Sequence, residues 1–63
     1  GLVIADNNII YATGPGGVWV FDDTGKALGK IRTTVPTANC TIDTEKNILY
    51  ITADMYLLRL QLK

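Results

Sequence analysis

Apolar residues in this chain come in short runs, broken about every eight to ten residues by clusters rich in Gly, Asn and Asp. Read in order, "LVIA" stops at Asp6-Asn7-Asn8, where Asn and Asp tolerate a positive φ. "IIYAT" runs into Gly14-Pro15-Gly16-Gly17, and "VWVF" into Asp22-Asp23-Thr24-Gly25, a type I turn with glycine at its left-handed position. "ALGKIR" is followed by the looser "TTVPTA" containing Pro36. "NCTID" turns at Thr44-Glu45-Lys46, "NILYITA" turns at Asp54-Met55, and "YLLRLQLK" closes the chain. No window carries the 3.6-residue period of a helix, and β-branched and aromatic residues fill the runs. The pattern predicts seven short antiparallel strands.

The two sides of these strands sharpen the prediction. "IIYA" and "VWVF" are apolar on both faces, as in a sheet covered on both sides by others. The last strand alternates Tyr56, Leu58, Leu60 and Leu62 with Leu57, Arg59, Gln61 and Lys63, so one of its faces is partly wet. An internal echo at an offset of 39 residues sets Tyr11 over Tyr50 and Thr13 over Thr52. That spacing is near the ~40–45 residues of a four-stranded propeller blade. The fold class expected is all-β, with antiparallel strands forming about two blades, four strands plus three, of a β-propeller. Residues 1–32 form one four-stranded blade, and residues 39–63 supply three strands of the closing blade.

Length, 63 residues, limits the chain to one small domain that buries only about 60% of the surface exposed on unfolding. A single cysteine, Cys40, rules out an internal disulfide. It reads as a small buried hydrophobe or as a reactive thiol that would need a cationic neighbour. Six basic and six acidic residues cancel, which argues against nucleic acid and against an anionic membrane surface. No apolar run approaches the ~20 residues of a membrane span. A lone cysteine leans towards a cytoplasmic setting and leaves the compartment unassigned.

Histidine and serine are absent, so a Ser–His–Asp triad, a Cys–His pair and a Cys/His zinc site are excluded within the chain. The oxygen donors that remain suit a hard cation such as calcium. The glycines of "GPGG" are not a phosphate loop, which needs G-x-x-x-x-G-K-[ST] opening a helix. Here a strand follows, and Pro15 has no amide hydrogen to offer. "DDTGK" lacks the alternating ligands and the glutamate of an EF-hand.

The stretch "GLVIADNNIIYATGPGGVWVFDDTGKALGKI", followed by "PTANCTI…LYITA…LLRLQL", resembles the C-terminal part of the senescence marker protein/gluconolactonase/luciferin-regenerating enzyme family. The resemblance, to regucalcin-like six-bladed propellers, covers essentially the whole chain, and "TGPGGVWVF" with G-K-x-L-G-x-I is its most specific part. It departs locally, with Ala5 where an aspartate is common and Asn8-Ile9 in place of Gly-Asn.

The resemblance implies a calcium or other divalent cation in a central channel and hydrolysis of a small sugar lactone. The metal would polarise the carbonyl and acidify a water. The ligand aspartate implied by the family would precede Gly1, and the other ligands belong to earlier blades. No catalytic or metal-ligating residue is therefore assigned to this chain, which is expected to be a C-terminal fragment that is not competent alone.

Residues 14–17, 33–38 and 54–55 are expected at the channel mouth. Asn39, opening the innermost strand of the second copy, is the candidate substrate-binding residue; capping of backbone groups is its other reading. Asp54 reads as a turn residue. Tyr11, Trp19, Phe21 and Tyr50 read as packing between blades, and Val18, Trp19, Val20 and Phe21 as core. The partners expected are the remaining blades, or other chains at exposed strand edges. The alternative function is a non-catalytic propeller that binds or scaffolds, and a third reading is a homo-oligomeric ring of blade pairs.

Overall fold

The structure, a computed structural model, describes residues 1–62. The expected seven strands are present, with no helix among the described residues: β1 (Leu2–Ile4), β2 (Ile10–Gly14), β3 (Gly17–Phe21), β4 (Ala27–Arg32), β5 (Thr37–Asp43), β6 (Ile48–Ala53) and β7 (Tyr56–Gln61). They form two antiparallel meanders, β1-β2-β3-β4 and β5-β6-β7. The final residue of the anticipated last strand, Lys63, lies outside the described residues.

The turns follow from their residue types. At the β1–β2 tip the Ala5 and Asn8 amides donate to Ile9 and Ala5 carbonyls, both at 2.9 Å, and Asn8 takes a φ of 65°. Between β2 and β3, Gly14 faces Gly17 across Pro15-Gly16. Proline sets the first corner, and Gly16 at φ 79° makes the second, the signature of a type II turn. At the β3–β4 tip, Asp22 Oδ1 accepts from the Thr24 amide (2.9 Å), the Thr24 hydroxyl (2.6 Å) and the Lys26 amide (3.0 Å). Gly25 adopts φ 91° there, as its left-handed assignment requires. Asn47 (φ 56°) and Asp54 (φ 55°) are the left-handed residues of the two tips in the smaller sheet.

The two sheets pack face to face, with β5 lying across β1 and β2. Tyr11 and Val18 of the larger sheet meet Cys40, Leu49 and Ile51 of the smaller, joined by Ala5. Val3, Val20, Ile31, Ile42 and Leu58 pack around this cluster. Withdrawing each large aliphatic side chain from water contributes roughly 2 kcal/mol. Cys40 is the buried small hydrophobe of the first reading, with its thiol 3.6 Å from the Tyr11 carbonyl.

Three features differ from the sequence pattern. Trp19 is not core: it is 38% exposed, and its ring carries the Lys30 ammonium 4.7 Å from the centroid. The reason is alternation. Val18 and Val20 face the second sheet, so Trp19 takes the opposite face, which no element of the described residues covers. β5 also begins at Thr37 rather than Asn39, with a register shift between the two. Pro36 favours an extended predecessor, and the Thr37 side chain is tethered as described below. In β7 both faces are wetter than expected, since Tyr56 and Leu60 are exposed along with Leu57, Arg59 and Gln61.

Candidate functional site

Strand directions sort the connections into two ends. β2 and β4 run towards the end where Gly14 pairs Gly17 and Gly17 pairs Arg32. Thr37 pairs Ala53, and Ala53 pairs Tyr56, at the corresponding end of the smaller sheet. Residues 14–17, 33–38 and 54–55 thus gather at one end, together with Gly1 and Asn39. The tips at residues 5–9, 22–26 and 44–47 lie at the other.

Threonines tie the gathered end together. The Thr37 hydroxyl sits between two carbonyls, 3.1 Å from Gly14 O and 3.0 Å from Gly17 O. The Thr33 amide donates to Gly16 O at 3.1 Å. The glycine corner therefore presents acceptors, the wrong polarity for a phosphate cradle. Thr13 makes a second link: its Oγ1 accepts from the Gly1 nitrogen (2.7 Å) and reaches the carbonyls of Gly1 (3.0 Å) and Ala38 (3.3 Å). In the sequence Thr13 stands out only through the internal echo and Thr37 only as part of the 33–38 segment, neither as a tie between strands. A threonine on a strand next to a glycine corner is the signal that could have found them.

Gly17 is demanded by this arrangement. Its φ is 150°, and a Cβ there would lie 2.0 Å from the Ile31 carbonyl oxygen. β3 and β4 approach too closely at that point for any side chain.

Asn39 lies at the gathered end beside Gly1, exposed. Its Oδ1 accepts from the Cys40 amide at 2.9 Å, and its carbonyl accepts from the Thr52 hydroxyl at 3.3 Å. The amide side chain thus does the backbone capping of its second reading through its oxygen, and among the described residues its nitrogen has no hydrogen-bond partner. Asn39, Thr41, Tyr50, Thr52 and Leu57 line a shallow cleft of about 160 Å³ on the uncovered face of the smaller sheet.

Electrostatics at this end are weak. Asp54 is the one carboxylate of the described residues there, while Asp6, Asp22, Asp23, Asp43 and Glu45 occupy the opposite tips. No three acidic or thiol side chains among the described residues come together to hold a metal ion. Burial pushes the Cys40 thiol and the Tyr11 phenol up from their ordinary values. That keeps Cys40 protonated and poorly nucleophilic at neutral pH. Asp22 is held below the usual carboxylate range, first by the Thr24 hydroxyl and then by the Lys26 amide.

The class defined by these features is an all-β chain of two face-packed antiparallel meanders whose glycine corner, crossover and second corner share one end. No protein-family model, no curated protein and no solved structure matches the chain.

Proposed function

We propose that this chain is the C-terminal part of a metal-dependent sugar lactone hydrolase of the gluconolactonase-like kind, contributing two blade-like sheets and no catalytic group of its own. The observation that carries the reading is the "TGPGGVWVF" corner gathered at one end with the 33–38 segment, the 54–55 turn and Asn39. In this reading that end borders the lactone pocket, and the amide nitrogen of Asn39 donates to a substrate oxygen. Calcium or another divalent cation would be held by groups that this chain does not contain.

A non-catalytic scaffold is favoured instead by one observation: the hydroxyls of Thr13 and Thr37 and the Asn39 oxygen are all occupied by backbone partners. Gluconolactone turnover separates the two readings. The polypeptide isolated at its native length is assayed with calcium and with chelator, alongside residues 1–63 alone. Calcium-dependent turnover by the first and none by the second supports the lactonase. No turnover by either leaves the scaffold, and turnover by residues 1–63 alone overturns both.

A further inference from the structure

The two sheets are copies of one pattern, and the way they mate shows what each uncovered face is built to receive. Tyr11 pairs Val3 and Val20 in the larger sheet, as Tyr50 pairs Thr41 and Arg59 in the smaller. The middle strands correspond at an offset of 39 residues and the first strands at 38, because the β5–β6 hairpin is one residue longer. By this correspondence Val18 matches Leu57, Leu2 matches Cys40, and Ile4 matches Ile42.

Each sheet therefore has a front, carrying Tyr11, Thr13 and Val18 or Tyr50, Thr52 and Leu57. Each also has a back, carrying Leu2 and Ile4 or Cys40 and Ile42. Inside the chain the back of the smaller sheet sits on the front of the larger: Val18 is 0% exposed and Cys40 9%. The two remaining faces are uncovered. Leu57 on the second front is 68% exposed, and Leu2 and Ile4 on the first back are 63% and 59% exposed.

We propose that copies of this 63-residue chain associate head to tail, the back of the larger sheet of one copy seated on the front of the smaller sheet of the next. The occupant is identified by the chain's own interface. The counterpart of the Leu2/Ile4 face is seen buried, and what buries it is Tyr11 and Val18 with Val3 and Val20 beside them. The second front keeps the tyrosine and an aliphatic, as Tyr50 and Leu57, and carries Thr41 and Arg59 in place of the two valines. In the observed packing the work is done by β5 against β1 and β2. The corresponding strands in the association are β1 of one copy against β5 and β6 of the next. Lys30 and Arg32, the cations on the uncovered back, sit on β4 away from β1. Arg59, on the uncovered front, is the counterpart of Val20, which packs beside the core cluster rather than in it. The relation is heterologous, so it closes into a ring if its rotation permits and otherwise propagates. It is an alternative to the lactonase reading, in which blades outside this chain would cover the same two faces.

The test is sedimentation of residues 1–63 over micromolar to millimolar protein, with circular dichroism confirming strand content. The mass is expected to rise above that of the monomer with concentration. Ile4→Glu on the back and Leu57→Glu on the front each place a charge on a side chain exposed in the single chain. Each alone should weaken association by about tenfold or more, since a carboxylate would be drawn out of water into the contact. An equimolar mixture of the two variants should associate again, as a dimer joined by the one intact front and the one intact back. A monomeric wild-type chain, a chain without strand content, self-association persisting in either variant, or a mixture that stays monomeric would each overturn the proposal.

Discussion

Tyr11 and Tyr50 occupy equivalent places on the middle strands of their sheets, yet Tyr11 is buried under β5 and Tyr50 lines an open cleft. The same residue in the same register meets a different environment because, among the described residues, β5 packs over the first copy and no strand packs over the second. Burial here is a property of stacking order.

The closest backbone approach makes one glycine irreplaceable. Gly17→Ala should destabilise the fold by about 3 kcal/mol, because φ 150° is foreign to alanine and its Cβ would collide with the Ile31 carbonyl. Gly29→Ala is the control: nothing lies within 4 Å of its Cβ position. That change should be neutral or stabilising by up to about 1 kcal/mol through a less flexible unfolded chain. Denaturant midpoints of the two variants, measured in parallel, check both.

Thr37→Val keeps the shape of the side chain and removes the hydroxyl that bridges the Gly14 and Gly17 carbonyls. A loss of about 1 kcal/mol is expected, the ordinary net value of such a bond. Amide exchange should quicken at residues 16–17 and 37–38 more than at the remote tips.

Asp22 organises the β3–β4 tip, and its carboxyl is held below the ordinary value. A folded value depressed below the unfolded one means the contribution is present above the unfolded carboxylate range and is lost as pH falls through the folded value. Acid should therefore open this tip, seen as faster exchange of the Thr24 and Lys26 amides below about pH 4. Asp22→Ala should show fast exchange at these amides already at neutral pH, with no further acid response.

Burial raises both the Cys40 thiol and the Tyr11 phenol, and the sign is opposite. Above the unfolded thiol value of about 8.5 the unfolded chain releases its proton first, so stability falls as pH climbs through the folded values. Thermal midpoints should be flat near neutrality and drop on the alkaline side. Cys40→Ala should remove the first part of that drop, and iodoacetamide should label Cys40 only as the chain unfolds.

Much of this architecture is legible in the residues. Asn8, Gly16, Gly25 and Asp54 mark four positive-φ corners, while a fifth, Asn47, falls where the pattern places the start of a strand; the turn residues delimit the strands to within a residue or two. The placement of residues 14–17, 33–38 and 54–55 at one end follows from strand count and antiparallel pairing. Trp19 and Asn39 are the instructive cases. The first is apolar in an apolar run and still faces outward, and the second folds its oxygen back onto the Cys40 amide.

By itself the sequence determined the local structure, because turn geometry and strand preference depend on a residue and its immediate neighbours. It determined the antiparallel meanders as well, since two-residue and short polar tips allow little else. Only the tertiary structure decided which face of each sheet is covered. Alternation assigns side chains to two faces, but the covering partner of a face comes from residues far along the chain, here β5 across β1 and β2. That long-range choice buries Val18 and Cys40 and leaves Trp19, Leu2 and Ile4 in solvent.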